Sequence, residues 1–123
     1  MDEENNGRIF KDAWIAGVKN YYPGTPNLAY LSPWEDMSEW EQQAAITVYG
    51  KVKVFIQSGL QSTPPAHIAP EQGGRFIGEA WNVQVYRHDP HPNPRYVADW
   101  DDLPEWHRRT DIGIFEAIRG TIE

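Results

Sequence analysis

Apolar residues return at helical spacing in two separate stretches that read alike. In the first, Ile9, Phe10, Ala13, Trp14, Gly17, Val18 and Tyr21 form one stripe; in the second, Phe76, Ile77, Ala80, Trp81, Gln84, Val85 and His88 repeat it. Each stripe predicts a helix with one buried face. Pro70 and Glu71 suit the first turn of the later helix, where a missing amide costs nothing and a carboxylate complements the helix dipole. By alignment the earlier helix begins near Asp2. A proline-rich connection follows each stripe, Pro23-Gly24-Thr25-Pro26 or Pro90-His91-Pro92-Asn93-Pro94, and then a short extended piece around Tyr30 or Tyr96. Second helices are predicted from about Met37 to Ser58 and from Leu103 to Ile122. Their inward faces carry Val48, Val52, Phe55 and Ile56, and Ile112, Phe115, Ile118 and Ile122. Asp36-x-x-Glu39 and Asp102-x-x-Glu105 both have the form of a capping box, in which the first side chain accepts from an orphan amide and the glutamate reaches back. Ser38-x-x-Glu41 also qualifies, but Pro104 and His107 stand at those places in the second stretch, so the aspartate box is the one both stretches can share.

The likeness extends beyond the stripes. Gly7-Arg8-Ile9-Phe10-Lys11-Asp12-Ala13-Trp14 lies over Gly74-Arg75-Phe76-Ile77-Gly78-Glu79-Ala80-Trp81 at an offset of 67 residues, continuing through Val18 with Val85 and Pro23 with Pro90. From Tyr30 with Tyr96 the offset is 66, pairing Trp34 with Trp100, Asp36 with Asp102, Trp40 with Trp106 and Ile56 with Ile122. All six tryptophans fall into three such pairs, and a fixed period of this kind is what a duplicated supersecondary unit leaves behind. The expected architecture is mainly α: two tandem α-hairpin-like repeats packed with pseudo-twofold symmetry, with short extended segments before helices two and four. Residues 1–61 make repeat one, 62–73 a Pro-rich linker and the start of helix three, and 74–123 repeat two. One helix pair cannot bury its apolar face alone, so the two copies share one core in a single domain.

Composition narrows the function. The chain has 123 residues, 11 Lys and Arg against 18 Asp and Glu, and a net charge of −7, which argues against grip on a DNA or RNA polymer. The charge is spread over both halves and serves solubility. With no cysteine, disulfides and thiolate metal sites are excluded. No run of residues has the length and apolarity of a membrane span, and the acidic opening Asp2-Glu3-Glu4 is the reverse of a signal-peptide start. The expectation is a cytoplasmic protein with no membrane partner.

The segments Asn27-Leu28-Ala29-Tyr30-Leu31-Ser32-Pro33-Trp34-Glu35-Asp36-Met37-Ser38-Glu39-Trp40-Glu41 and Pro94-Arg95-Tyr96-Val97-Ala98-Asp99-Trp100-Asp101-Asp102-Leu103-Pro104-Glu105-Trp106 carry a further signal. They resemble the tandem ryanodine receptor repeat domain, in its bacterial or phage-type form. That family has a tryptophan-bearing helix, a Pro-rich loop, a segment of the form Pro-x-Leu-x-Pro-aromatic-x-x-Leu, and a helix opening with acidic residues. Its Gly-Trp-x-aromatic-Gly segment after the first helix is absent here, and that connection is shorter. The resemblance implies an adenine nucleotide or related signal held between the copies by aromatic side chains, with Trp14, Trp34, Trp81 and Trp100 as the positions concerned.

The residues themselves leave alternatives open. A tryptophan pair can sandwich a purine, at roughly 1–3 kcal/mol per base, but the same side chains serve equally as core. Trp40 and Trp106, in the first turns of their helices, are expected to be structural and to pack against Trp34 or Trp100. Arg8 and Arg75 suit a phosphate clamp or an ion pair to Asp36 or Asp102. With Tyr30 and Tyr96 they complete the candidate ligand-binding set. The acids Asp36, Glu39, Asp102 and Glu105 read as caps more simply than as acid-base catalysts. Asp99, Asp101 and Asp111 lack the ligand spacing of an EF-hand, and His67, His88, His91 and His107 read as solvated loop histidines rather than zinc ligands. No nucleophile elbow, phosphate loop or metalloprotease signature is present. The expected role is therefore a non-enzymatic binding module with no cofactor and no metal, its partner a small nucleotide-like ligand. The alternative is a protein-interaction adaptor using Tyr21, Tyr22, Tyr30 and Trp40 beside acidic residues.

Overall fold

A computed structural model describes residues 2–122 of the chain. Helix α1 (Asp2–Tyr21) and helix α2 (Glu39–Leu60) are joined through two 3-10 turns, Leu28–Leu31 and Trp34–Asp36; helix α3 (Pro70–His88) and helix α4 (Glu105–Ile122) are joined through two more, Pro94–Tyr96 and Trp100–Asp102. The described residues contain no strand, and no helix is long and apolar enough to cross a membrane. Helices α1 and α3 each pack against both α2 and α4.

The predicted starts of α1 and α3 hold, with Pro70 opening α3 and Glu71 in its first turn. Two expectations about the connections do not hold. The pieces around Tyr30 and Tyr96 are 3-10 turns rather than extended segments. In the first, the Asn27 side chain accepts from the Ala29 amide at 2.9 Å while its carbonyl accepts from Tyr30 N at 3.0 Å, and such local bonds favour a tight turn over a strand. The aspartate caps also fail. Asp36 and Asp102 end the 3-10 turns Trp34–Asp36 and Trp100–Asp102, and α2 and α4 start two residues later than expected, at Glu39 and Glu105. The cap of α2 is Ser38, whose hydroxyl accepts from Glu41 N at 3.4 Å and donates to its carboxylate at 2.7 Å. At the matching place before α4, the Pro104 carbonyl takes the amides of His107 and Arg108, but proline has no side-chain acceptor.

The core runs through all four helices: Phe10, Trp34, Val48, Val52, Ile56, Ile77, Ile114, Phe115 and Ile118 form one buried cluster. Phe55 and Phe76 stack at its edge with ring centroids 4.3 Å apart, and the Tyr49 hydroxyl shares a 2.6 Å hydrogen bond with Thr121. Close approach is achieved by leaving out side chains. A Cβ on Gly7 would come within 2.3 Å of the Trp34 ring, and one on Gly74 within 2.7 Å of the Trp100 ring, so each indole lies directly on the backbone of the preceding helix. Gly73 gives way in the same manner to Phe115. The linker is tied down by Arg119, a buried cation whose guanidinium donates to Ile68 O at 2.7 Å and lies 2.7 Å from His67 Nε2.

The glycines yield a paired prediction. Gly73→Ala would place its methyl carbon 2.1 Å from Phe115, and should destabilise by about 1–3 kcal/mol or more. Gly113→Ala, which meets nothing within 4 Å, should stabilise by about 0.5–1 kcal/mol through helix propensity alone. Chemical denaturation of both variants checks the contrast, and equal effects would contradict this packing.

Candidate functional site

Each half positions an arginine over a tryptophan. Arg8 lies on α1 one turn after Glu4, and its guanidinium sits 5.9 Å over the Trp34 ring while bonding Glu35 at 2.7 Å and Glu4 at 3.4 Å. Arg75 on α3 sits 5.6 Å over Trp100, with Asp101 at 3.4 Å and Glu71 at 3.6 Å. The expected ion-pair partners Asp36 and Asp102 are therefore replaced by the residues just before them. Within each 3-10 turn it is the residue after the indole, and not the one two places on, that comes within reach of the arginine. The Arg8 hydrogen bond holds the Glu35 carboxyl below its ordinary pKa. Trp34 and Trp100 are themselves buried, at 5% and 7% exposure, and Trp34 Nε1 donates to Glu4 at 3.3 Å.

Trp14 and Trp81 lie at seams where helices of the two halves meet. Trp14 donates from Nε1 to Tyr30 O at 3.0 Å and packs edge-on against Tyr30, Trp106 and His107. Trp81 stacks on Phe10 at 5.6 Å and lies 6.3 Å from Trp40, which in turn stacks on His88 at 4.2 Å. Trp40 and Trp106 thus have a packing role as expected, but against Trp81 and Trp14 of the other half instead of Trp34 and Trp100. Tyr22 and Tyr30 join the Trp106 cluster, whereas Tyr96 stands 66% exposed. The candidate set is thereby divided among several places.

One cleft of roughly 220 Å³ opens between α3 and the turn Trp100–Asp102, walled by Arg75, Glu79, Asn82, Asp99, Trp100 and Asp101, with Gly78 on α3 also lining it. Of the eight predicted residues only Arg75 and Trp100 line it; Trp14, Trp34 and Trp81 line neither this cleft nor the much smaller cavity beside Arg119. Asn82 braces the far wall by donating from Nδ2 to Ala98 O at 3.2 Å. The position that Gly78 occupies in α3 is held in α1 by Lys11, a lysine only 8% exposed whose pKa is lowered by burial against the pull of Glu41.

Sequence reasoning missed a half-buried histidine beside a buried aspartate. His107 packs against Trp14 and Trp106, and burial lowers its pKa to about 4. It is not a loop histidine, and neither is His88, the last residue of α3. Asp111, one turn further along α4 and 3% exposed, is pushed well above the ordinary carboxylate range by burial. Its Oδ1 is 3.7 Å from His107 Nε2, too long for a hydrogen bond, and its Oδ2 has no hydrogen-bond partner. The signal was available: His107, Asp111, Phe115 and Ile118 follow one another at helical spacing along the inward stripe of α4. Neither member of the pair is among the residues that line the cleft, but Asp111 Oδ2 lies 3.4 Å from where a Cβ on Gly78, on the cleft wall, would stand. Asp111 is also set apart from Asp99 and Asp101, and among the described residues no group of three His, Cys, Asp or Glu is placed to hold a metal ion. Comparison with known proteins matches this chain to no family model, no curated protein and no solved structure.

The two shifts act on stability in opposite directions. His107, near 4 when folded against 6.5 when free, leaves the unfolded chain to take up a proton first as pH falls. Its contribution is full above pH 6.5 and is lost on the way down to about pH 4, by at most about 3 kcal/mol. The raised pKa of Asp111 gives a contribution present below its free value and lost as pH rises through the folded one. Denaturation between pH 4 and 9 should therefore find Asp111→Asn more stable than the parent chain at high pH, and His107→Gln less sensitive to acid. A pH-independent effect of both changes would rule this out.

Proposed function

We propose that this chain is a non-enzymatic binding module, built of two tandem copies about a pseudo-twofold axis, which takes a small ligand into the cleft beside Trp100. The cleft carries this reading: it brings an aromatic ring, a cation, several carboxylates and an amide to one concave place, the combination by which small ligands are oriented. The tandem reading is supported by relations that recur in each half: arginine over tryptophan, glycine beneath the indole, and an acid after it. Each half also repeats a turn bond, from Met37 N to Trp34 O and from Leu103 N to Trp100 O.

A nucleotide-like signal, the ligand that the ryanodine receptor resemblance implies, belongs in the test. A base stacking on Trp100 would have to displace the Arg75 guanidinium, which would then be free to meet a phosphate. The adaptor reading draws less support, because Tyr22, Tyr30 and Trp40 are occupied in packing and only Tyr21 of its residues is exposed, at 42%.

The test is thermal unfolding of the whole chain against adenine mononucleotides, cyclic ADP-ribose analogues, amino acids and amines. A ligand of the folded state raises the midpoint with concentration, by about 2.7 kcal/mol of added stability at a hundred times its Kd. The expected result is such a rise for one class, diminished in Arg75→Gln and retained in Arg8→Gln. No rise for any class at millimolar concentration would overturn the proposal.

A further inference from the structure

We propose that the cleft beside Trp100 is a receptor for a primary alkylammonium group, delivered by a free polyamine or by a lysine side chain. This rests on the reading of that cleft as the binding site and names its ligand class.

The argument begins with the difference between Lys11 and Gly78. In the first half the chain places its own lysine against α2 and buries it, with Glu41 as the charge that favours its ammonium form. At the matching position in the second half there is no side chain, and a Cβ built on Gly78 would meet a single atom within 4 Å, Asp111 Oδ2 at 3.4 Å. The cleft of roughly 220 Å³ thus opens beside the position where the first half holds a lysine.

What surrounds that space suits a cation. Asp111 is a carboxyl with a side chain 4% exposed, its Oδ2 directed at Gly78 and without a hydrogen-bond partner. A buried acceptor of this kind is costly until something donates to it. Glu79, Asp99 and Asp101 stand along the wall against the one cation Arg75. Asn82 commits its amide nitrogen to Ala98, which leaves its oxygen as an acceptor. The Trp100 indole, with a guanidinium already over it, has the ring face that cations favour. Three carboxylates on one wall oppose a phosphate by like charge. Size agrees: at roughly 220 Å³ the cleft lies below the range of about 300–1,000 Å³ typical of whole drug-sized ligands, and suits a short alkyl chain with a charged head.

The experiment follows the Gly78 amide and the Trp100 indole N–H of the full chain by NMR during titration with putrescine, Nα-acetyl-lysine amide, Nα-acetyl-norleucine amide and AMP. Saturable shifts of both signals are expected with at least one ammonium ligand and none with norleucine, and the two ammonium arms separate a free polyamine from a lysine side chain as the source. Gly78→Lys should weaken ammonium binding by roughly tenfold or more. It should also melt higher than Gly78→Met, a gain lost when Asp111→Asn is added. Gly78→Met serves as the uncharged filler, so a helix-propensity effect cannot be mistaken for ion pairing. Equal shifts with norleucine, or equal melting of the lysine and methionine variants, would overturn the inference. Shifts with AMP and none with either amine would overturn the ammonium assignment and leave the cleft as a binding site; silence with every ligand would overturn both.

Discussion

The indoles of Trp14 and Trp81 sit where helices from opposite halves of the chain meet, and the rest of the structure is arranged around those two seams. Trp81 of α3 is held between Phe10 of α1 and Trp40 at the start of α2, while Trp14 of α1 is held by Trp106 and His107 at the start of α4. Each aromatic contact is worth about 0.5–1.5 kcal/mol beyond the area it buries. Because these contacts cross between the halves, neither helix pair completes its own core. This is why a tryptophan stands second in both α2 and α4: Trp40 and Trp106 cover the partner half rather than close their own turn.

With Trp14 and Trp81 committed to the seams, Trp34 and Trp100 are left to cover the outer flanks of α1 and α3, which they do by lying on Gly7 and Gly74. Their outer faces are then met by Arg8 and Arg75. Both arginines are substantially solvated, so their ion pairs contribute little stability and can be exchanged for other partners. The buried polar groups are of a different kind. Lys11 in one half and Asp111 in the other each sit at a helix interface with little water, and each has its pKa moved toward the neutral form.

The halves differ in what stands at matching positions. Where α1 carries a lysine, α3 carries a glycine; where α2 carries Ala45, α4 carries Asp111. In the first half that position holds a buried cation, and in the second it borders a cleft and a carboxyl whose Oδ2 has no hydrogen-bond partner.

The helices, their approximate limits and the internal match between halves were legible from residue order, because periodicity and proline placement act within a few residues of one another. So was the correspondence of Arg75 with Arg8 and of Trp100 with Trp34. Tertiary packing decided the rest. Ser38 rather than Asp36 caps α2, since the 3-10 turn Trp34–Asp36 uses up the residues that the aspartate box would need. Trp40 and Trp106 reach across to the other half, a contact between residues distant in sequence that no local pattern encodes. Asp111 is a polar residue by composition and a buried one by position, with half-buried His107 one turn before it, and only the packing of α4 against α1 and α3 makes them so. The cleft is the clearest case: Gly78 reads as one more small residue in a helix until its neighbours are in place, and then it stands on the wall of the cleft beside Trp100 with no side chain to enter it.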